Sequence, residues 1–280
     1  MFGQSRALNR IAASITAQDI CEPFELEFDP RTRLRDAEEQ WDGFCAASNT
    51  DPFDHIALIS KDRKAVGTVT YEMLGAPEET LGDVADGIGV ESLVSAETPL
   101  LELAQMYGEK SLWVFIVLKG NHPIGWISYH HLLGPAFRSC LFGLILAVEQ
   151  TMGDILKVKA KESIARLPPN RADAAKRIYG LRDYQRTRGP EAGPRAIIDC
   201  SNFIDKITMI ESSSEILKAL PTFNRNLLLK VESLRNVLAH PTPDHELSLK
   251  LPKQDLNGFI QSISAFEADL FKYLRQISSQ

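Results

Sequence analysis

Residues 112–128, LWVFIVLKGNHPIGWIS, read as two strands folded back on each other. The run LWVFIVL (112–118) is apolar throughout and rich in β-branched and aromatic side chains, the composition of a strand covered on both faces. KGNH (119–122) supplies turn residues, and PIGWIS (123–128) resumes the β-rich pattern. YHHLLG (129–134) then predicts a short helix that stops at Gly134. The same order occurs once before. HIALIS (55–60) and AVGTVT (65–70) flank the turn KDRK (61–64), and TYEMLG (70–75) predicts a helix stopped at Gly75.

Outward from each hairpin the repeat continues. An amphipathic helix pattern precedes each one, at 34–47 and 100–108, and an extended stretch ending in a turn signal precedes each helix: FELEFDPRT (24–32) and ESLVSAETP (91–99). Two copies of strand–helix–strand–strand–helix, about 60 residues apart, are an internal repeat. Their alternation of strands and helices predicts an α/β sheet with helices packed beside it.

The second half carries no strong strand signal. Residues 137–161 read as one long helix, apolar at its start and basic towards its end. Pro168 and Pro169 break the chain, and 171–186 resumes a very basic helical pattern, followed by a loop at 187–195. Residues 201–220 predict a helix with Ser201 as N-cap and Pro221 as stop. Leucines at 227, 228, 234 and 238 give the stretch 222–240 one buried face, ended by Pro241 and Pro243. Residues 254–277 form a last amphipathic helix. Short connections between such helices predict a compact bundle. The expected class is α+β, with an α/β module at 23–135 after an extension at 1–22, and an all-α domain at 136–280.

Composition narrows the classes. The chain has 280 residues, 44% hydrophobic and 24% charged, which is globular rather than disordered or collagen-like. Cys21, Cys45, Cys140 and Cys200 lie far apart, with no CxxC pair, so neither a structural zinc site nor a disulfide framework is expected. The first residues lack the apolar core of a signal peptide, and the apolar run 141–148 is too short to span a bilayer, so the expectation is a cytoplasmic protein without a membrane partner. Residues 1–135 hold 10 Lys and Arg against 21 Asp and Glu, whereas 136–280 hold 21 against 16. The stretch 157–195 concentrates 11 basic residues against 4 acidic ones. Such asymmetry implies two modules with different partners, the basic one suited either to a polyanion or to a solvated face. There is no Walker GxxxxGK, GxGxxG or HExxH, and His130 and His131 are adjacent on a helix and so diverge. No metal site is expected. His245 reads as a loop histidine near the second-half motif.

The first-half repeat resembles a tandem pair of CBS domains, on HIALISKDRKAVGTVTYEML in one copy and on VSAETPLLELAQMYGEKSLWVFIVLKGNHPIGWISYHHLL in the other. That resemblance implies paired βαββα modules that bind an adenine nucleotide as a regulatory ligand. The family's nucleotide sites show Thr or Ser at the end of the last strand and Asp three residues later. Thr70 and Ser128 occupy the hydroxyl positions, while Met73 and His131 stand where Asp is usual. Methionine cannot accept a ribose hydroxyl, whereas His131 can donate or accept one. Thr70 and Ser128 can equally cap the helices that follow. The module then serves as a dimerisation or protein-partner platform.

The stretch 233–241, SLRNVLAHP, resembles the signature of HEPN domains, all-helical modules in which Arg, a polar residue and a His four to six residues on form a ribonuclease site. Arg235, Asn236 and His240 match it, inside a helical and basic half. The resemblance implies a metal-independent endoribonuclease working as a homodimer, needing no cofactor. The combination of a sensing module with such a bundle is like that of bacterial defence and stress ribonucleases.

The chemistry suits these residue types. Metal-free RNA cleavage turns the 2′-OH onto the adjacent phosphate and leaves a 2′,3′-cyclic phosphate. It needs a group that moves protons near neutral pH, which histidine is, and a fixed cation on the phosphorane, which arginine is. Asn236 and His240 are i and i+4 and share a helix face, with the helix expected to unwind near His240 because Pro241 follows. His240 is the expected proton-transfer group, Arg235 the stabiliser and Asn236 a positioning residue. Glu149 is expected either to orient Arg235 or to be an ordinary interface carboxylate. Arg171, Lys176, Arg177 and Arg182 would track the RNA backbone. The alternative is a non-catalytic dimeric scaffold in which the motif caps its helix and Arg235 pairs with Glu232 or Glu211.

Overall fold

The structure, a computed structural model, describes residues 15–61, 64–74, 79–109, 114–159, 163–186, 196–240 and 244–279; side chains at 163, 182–186 and 244–246 are not among them. The expected loop at 187–195, the strand start at 112 and 113, the Gly75 stop and the prolines 241 and 243 lie outside the described residues. The chain divides into two compact units, 15–103 with 110–132, and 104–109 with 133–280.

The first unit contains two four-stranded sheets. In one, strand β2 (Glu27–Phe28) runs parallel to β3 (Ile56–Lys61), with α1 (Leu34–Ser48) crossing over between them; β3 pairs antiparallel with β4 (Lys64–Thr70), and β4 with β5 (Asp86–Gly87). In the other, β6 (Leu93–Ser95) runs parallel to β7 (Val114–Lys119) across α3 (Leu100–Glu109). β7 pairs antiparallel with β8 (His122–Ser128), and β1 (Glu22–Pro23) closes the edge. The short helices α2 (Leu81–Val84) and α4 (Tyr129–Leu132) follow the first and second hairpins.

The repeat holds at residue level. Every hairpin pair recurs 58 residues on, from Ile56↔Thr70 to Val114↔Ser128, and so does the register shift, Ile59/Ser60 in one copy and Val117/Leu118 in the other. Gly67 and Gly125 therefore occupy equivalent positions, each crossed by an edge strand. The first copy packs on a core around the fully buried Trp41, with Phe28, Leu34, Ile59 and Leu81. A second core joins Ile56 of the first copy to Ile116 and Trp126 of the second. Asn49, at φ 55°, ends α1 in the left-handed conformation that Asn tolerates. The segment Tyr71–Leu74 is a 3-10 turn rather than the expected α-helix. Its Tyr71 hydroxyl donates to Asp42 Oδ1 at 2.8 Å while the ring meets Trp41 edge-on, and these anchors hold the chain in a tight turn.

The second unit is helical. α5 (Pro135–Lys159) lies at its centre, packed by α7 (Phe203–Glu211), α9 (Arg225–Ala239) and α11 (Lys253–Ser278). α6 (Pro169–Arg186), α8 (Ser214–Ala219) and α10 (Asp244–Lys250) complete it. By length and composition α5 is apolar enough to cross a membrane, and the run around Phe137, Leu141, Leu144 and Val148 is buried inside the bundle. The expected helix over 201–220 is in fact two. Asn202, not Ser201, is its N-cap, accepting from the Asp205 N–H at 3.0 Å while Asp205 accepts from the Asn202 N–H. The break falls at 212–213. Arg166 Nη1 donates to the Ser212 carbonyl at 2.6 Å, and the Ser212 hydroxyl donates to the Met209 carbonyl, so the backbone bonds that would carry the helix on have other partners. α10, in a stretch expected to be loop, begins at an acidic residue and ends at Lys250, in line with the helix dipole.

Candidate functional site

α9 starts at Asn224, whose side chain accepts from the Leu227 N–H, and it buries Leu228, Val231, Leu234 and Val237. It ends at Ala239. His240 is extended, at φ −116° and ψ 149°, because the proline after it excludes the α region. Arg235 is turned towards α5, whereas Asn236 and His240 are exposed. Among the described residues neither of those two side chains has a hydrogen-bond partner.

Across from Arg235 stands Glu149 of α5. Arg235 Nε lies 3.1 Å from Glu149 Oε2, with both atoms buried and the N–H directed off the oxygen, so the contact is one of charge rather than an aligned hydrogen bond. The other oxygen, Oε1, accepts from Lys206 Nζ at 2.9 Å, and Nζ also donates to the Ser201 carbonyl at 2.9 Å. Glu211 pairs with Arg225 and is not available to Arg235. Glu149, Lys206 and Arg235 line an open cleft of about 650 Å³ with Gly143, Leu146, Gly153 and Asp199, a volume in the range of small-ligand sites. Asn236 and His240 are not among the described residues that line it.

Lys206 did not stand out in the sequence. Its one signal is periodicity, since Phe203, Lys206, Ile207 and Ile210 share the apolar face of α7 and a lysine there is out of pattern. Nearby, Lys157 joins Asp154 and Asp199. Burial alone lowers its pKa, but hydrogen bonds to Asp199 and Asp154 outweigh that and raise it.

The basic residues differ in surroundings. Arg171 Nε lies 2.7 Å from Asp205 Oδ1, and its Nη2 donates to Asn202 Oδ1 at 3.0 Å, so it clamps the start of α7. Lys176 and Arg177 are exposed on α6, with Lys176 3.6 Å from Asp173. The side chains of Arg182 and His245 lie outside the described residues. Among the described residues no group of three His, Cys, Asp or Glu side chains could hold a metal.

In the first unit Thr70 and Ser128 close equivalent strands. The Ser128 N–H donates to His131 Nδ1 at 3.2 Å, and the His131 N–H meets Ser128 Oγ at 3.4 Å, a reciprocal cap with imidazole in place of a carboxylate. The ring lies 4.7 Å from that of Trp126, and burial lowers its pKa, so Nδ1 accepts in the neutral form. Met73 packs against the Trp41 core. A separate cavity of about 370 Å³ is lined by Lys64, Ile88, Leu93, Ile116, Leu118 and His122; none of Thr70, Ser128 and His131 lines it.

No family model matches the chain, and no curated protein matches it. Solved structures do. The chain is similar to the CBS domains of a transcriptional regulator from Streptococcus pneumoniae, with 13% identity and TM-score 0.33 over 42% of this chain and 97% of that one. It is similar to a CBS-pair protein, CBSX2, from Arabidopsis thaliana, with 18% identity and TM-score 0.34 over 44% and 95%. It is also similar to the cytosolic domain of the Mg2+ channel MgtE in complex with ATP, with 14% identity and TM-score 0.36 over 45% and 50%. The strand–helix–strand–strand order, repeated with one register, makes the first unit CBS-pair-like in its own topology.

Proposed function

We propose that the helical unit is a metal-independent endoribonuclease of HEPN type, regulated through the CBS-pair-like unit by an adenine nucleotide or a protein partner. The observation that carries this reading is Arg235, held by Glu149 at the wall of an open cleft, one turn before an exposed His240 that ends the same helix. The guanidinium is placed to neutralise charge developing on a phosphorane, and the exposed imidazole is the proton-transfer group. Asn236 flanks Arg235 on the exposed side. Lys176 and Arg177 extend a cationic track along α6 for the RNA backbone. Proton transfer on both sides of the phosphorus calls for two histidines, so the active form is a homodimer with a His240 from each copy, in a cytoplasmic setting. In the first unit the ligand has two places to bind, beside Ser128 and His131 or in the 370 Å³ cavity with Lys64 and His122 at its rim.

The test is cleavage of mixed RNA substrates in EDTA by the wild type, His240→Ala and Arg235→Lys, with and without adenine nucleotides. Products ending in 2′,3′-cyclic phosphate, lost in both variants, support the reading. Absence of cleavage under all conditions would favour the dimeric scaffold. That second reading has its own observation, since Leu146 and Leu229 of the helical unit are 41% and 38% exposed.

A further inference from the structure

We infer that Lys206 is a positioning residue: by occupying one oxygen of Glu149 it keeps the Nη fork of Arg235 open towards the cleft. The inference rests on the phosphate-binding role given to Arg235 above, but its physical content is separate. A carboxylate at the Nε edge of an arginine tends to take it with both oxygens in parallel, at Nε and one Nη, as Asp29 takes Arg31, which uses up one arm of the fork. Here Oε2 approaches Arg235 at Nε while Oε1 accepts from Lys206. Among the described residues neither Nη has a hydrogen-bond partner, and the Arg235 side chain is 32% exposed.

Lys206 is fixed well enough to do this. Its side chain is 7% exposed, and its ammonium is also tied to the Ser201 carbonyl. The stem passes Gly153, where an added Cβ would come within 3.5 Å of Lys206 Cε. The helix start that carries it is itself held, Asn202 and Asp205 capping each other while Arg171 grips both. A chain of charges thus runs from α6 through α7 and α5 to Arg235 on α9. Removing the ammonium frees Oε1, and the carboxylate then closes on the guanidinium with both oxygens, at Nε and one Nη.

The experiment compares wild type, Lys206→Met, Lys206→Arg and the double variant Lys206→Met with Glu149→Gln. The first readout is Arg235 side-chain nitrogen NMR, assigned with Arg235→Lys; it does not depend on activity. In the wild type the Nη groups should rotate freely while the Nε–H is protected from exchange. In Lys206→Met, Nη rotation should slow, and in the double variant it should recover, because a neutral amide does not lock a guanidinium. Cleavage by Lys206→Met should fall on the order of tenfold or more, in line with a mispositioned catalytic group. A purely structural lysine would give additive losses with no rescue. Lys206→Arg keeps Oε1 occupied and should behave as wild type, which covers the case in which Lys206→Met does not fold. Unchanged Nη rotation in Lys206→Met, or a loss in Lys206→Arg as large as in Lys206→Met, overturns the inference whether or not the protein cuts RNA. Slowed rotation in a protein that never cuts RNA upholds the positioning and sinks only the ribonuclease reading.

Discussion

Arg235 Nε stands 3.1 Å from Glu149 Oε2, linking α9 to α5 by two buried atoms. Because Lys206 holds the second oxygen, one carboxylate balances two cations. Glu149→Ala therefore leaves Lys206 buried without its counter-charge. The expected loss is about 3 kcal/mol, at the low end for breaking a buried pair because Arg235 is partly solvated. Glu149→Gln, which keeps the shape, should lose less. The shift of the urea midpoint at constant slope measures both.

Arg171 and its basic neighbours should separate cleanly. Arg171→Ala strips the partner from Asp205, which is 4% exposed, and should lower stability by about 3 kcal/mol. Lys176→Ala and Arg177→Ala lie at exposed positions and should leave stability within about 0.5 kcal/mol. If they touch RNA, each should reduce the salt slope of single-strand binding by about 0.7. Titrations at several salt concentrations, beside thermal melts, decide it; a slope unchanged in both variants would remove α6 from the RNA track.

The two repeats predict an asymmetry between matched glycines. An added Cβ on Gly125 would clash with the Glu22 carbonyl oxygen, and one on Gly67 would come 2.9 Å from that of Asp86. Gly125→Ala should push the edge strand β1 off β8 and destabilise the first unit by about 1–3 kcal/mol, with Gly67→Ala milder. Amide exchange of β8 in Gly125→Ala and of β4 in Gly67→Ala reads the effect directly, and an equal loss of protection in the two would count against this packing.

His131 supplies a pH dependence. Burial lowers its folded-state pKa, so the unfolded chain binds the extra proton first. Its contribution is then complete above the unfolded value of about 6.5 and is lost as pH falls through that value towards the lower folded one. His131→Asn, whose side-chain oxygen can still accept from the Ser128 N–H, should flatten that part of the melting-temperature profile between pH 7 and 5. An unchanged profile would show that the other histidines dominate.

Most element positions were legible because the signals are local. The helix expected over 34–47 is Leu34–Ser48, that over 100–108 is Leu100–Glu109, and the second-half helix over 137–161 is Pro135–Lys159. Misreadings fall where a distant residue intervenes. The serines at 212–214 look compatible with a continuing helix until Arg166, 46 residues away, takes the Ser212 carbonyl. Tyr71 stays in a 3-10 turn because Asp42, 29 residues back, anchors its hydroxyl.

The same division runs through the site. The sequence by itself determined the repeated hairpins, their shared turn positions, the helical second half and the placing of His240 at a helix end before proline, since periodicity, turn chemistry and proline sterics act over a few residues. It also put Arg235 and Asn236 in the last turns of that helix, close before His240. Only the tertiary structure decided what each charge faces. Lys206 reaches Glu149 across 57 residues and Arg171 reaches Asn202 across 31, and burial makes those pairings obligatory, because a charge withdrawn from water must find a partner within the fold.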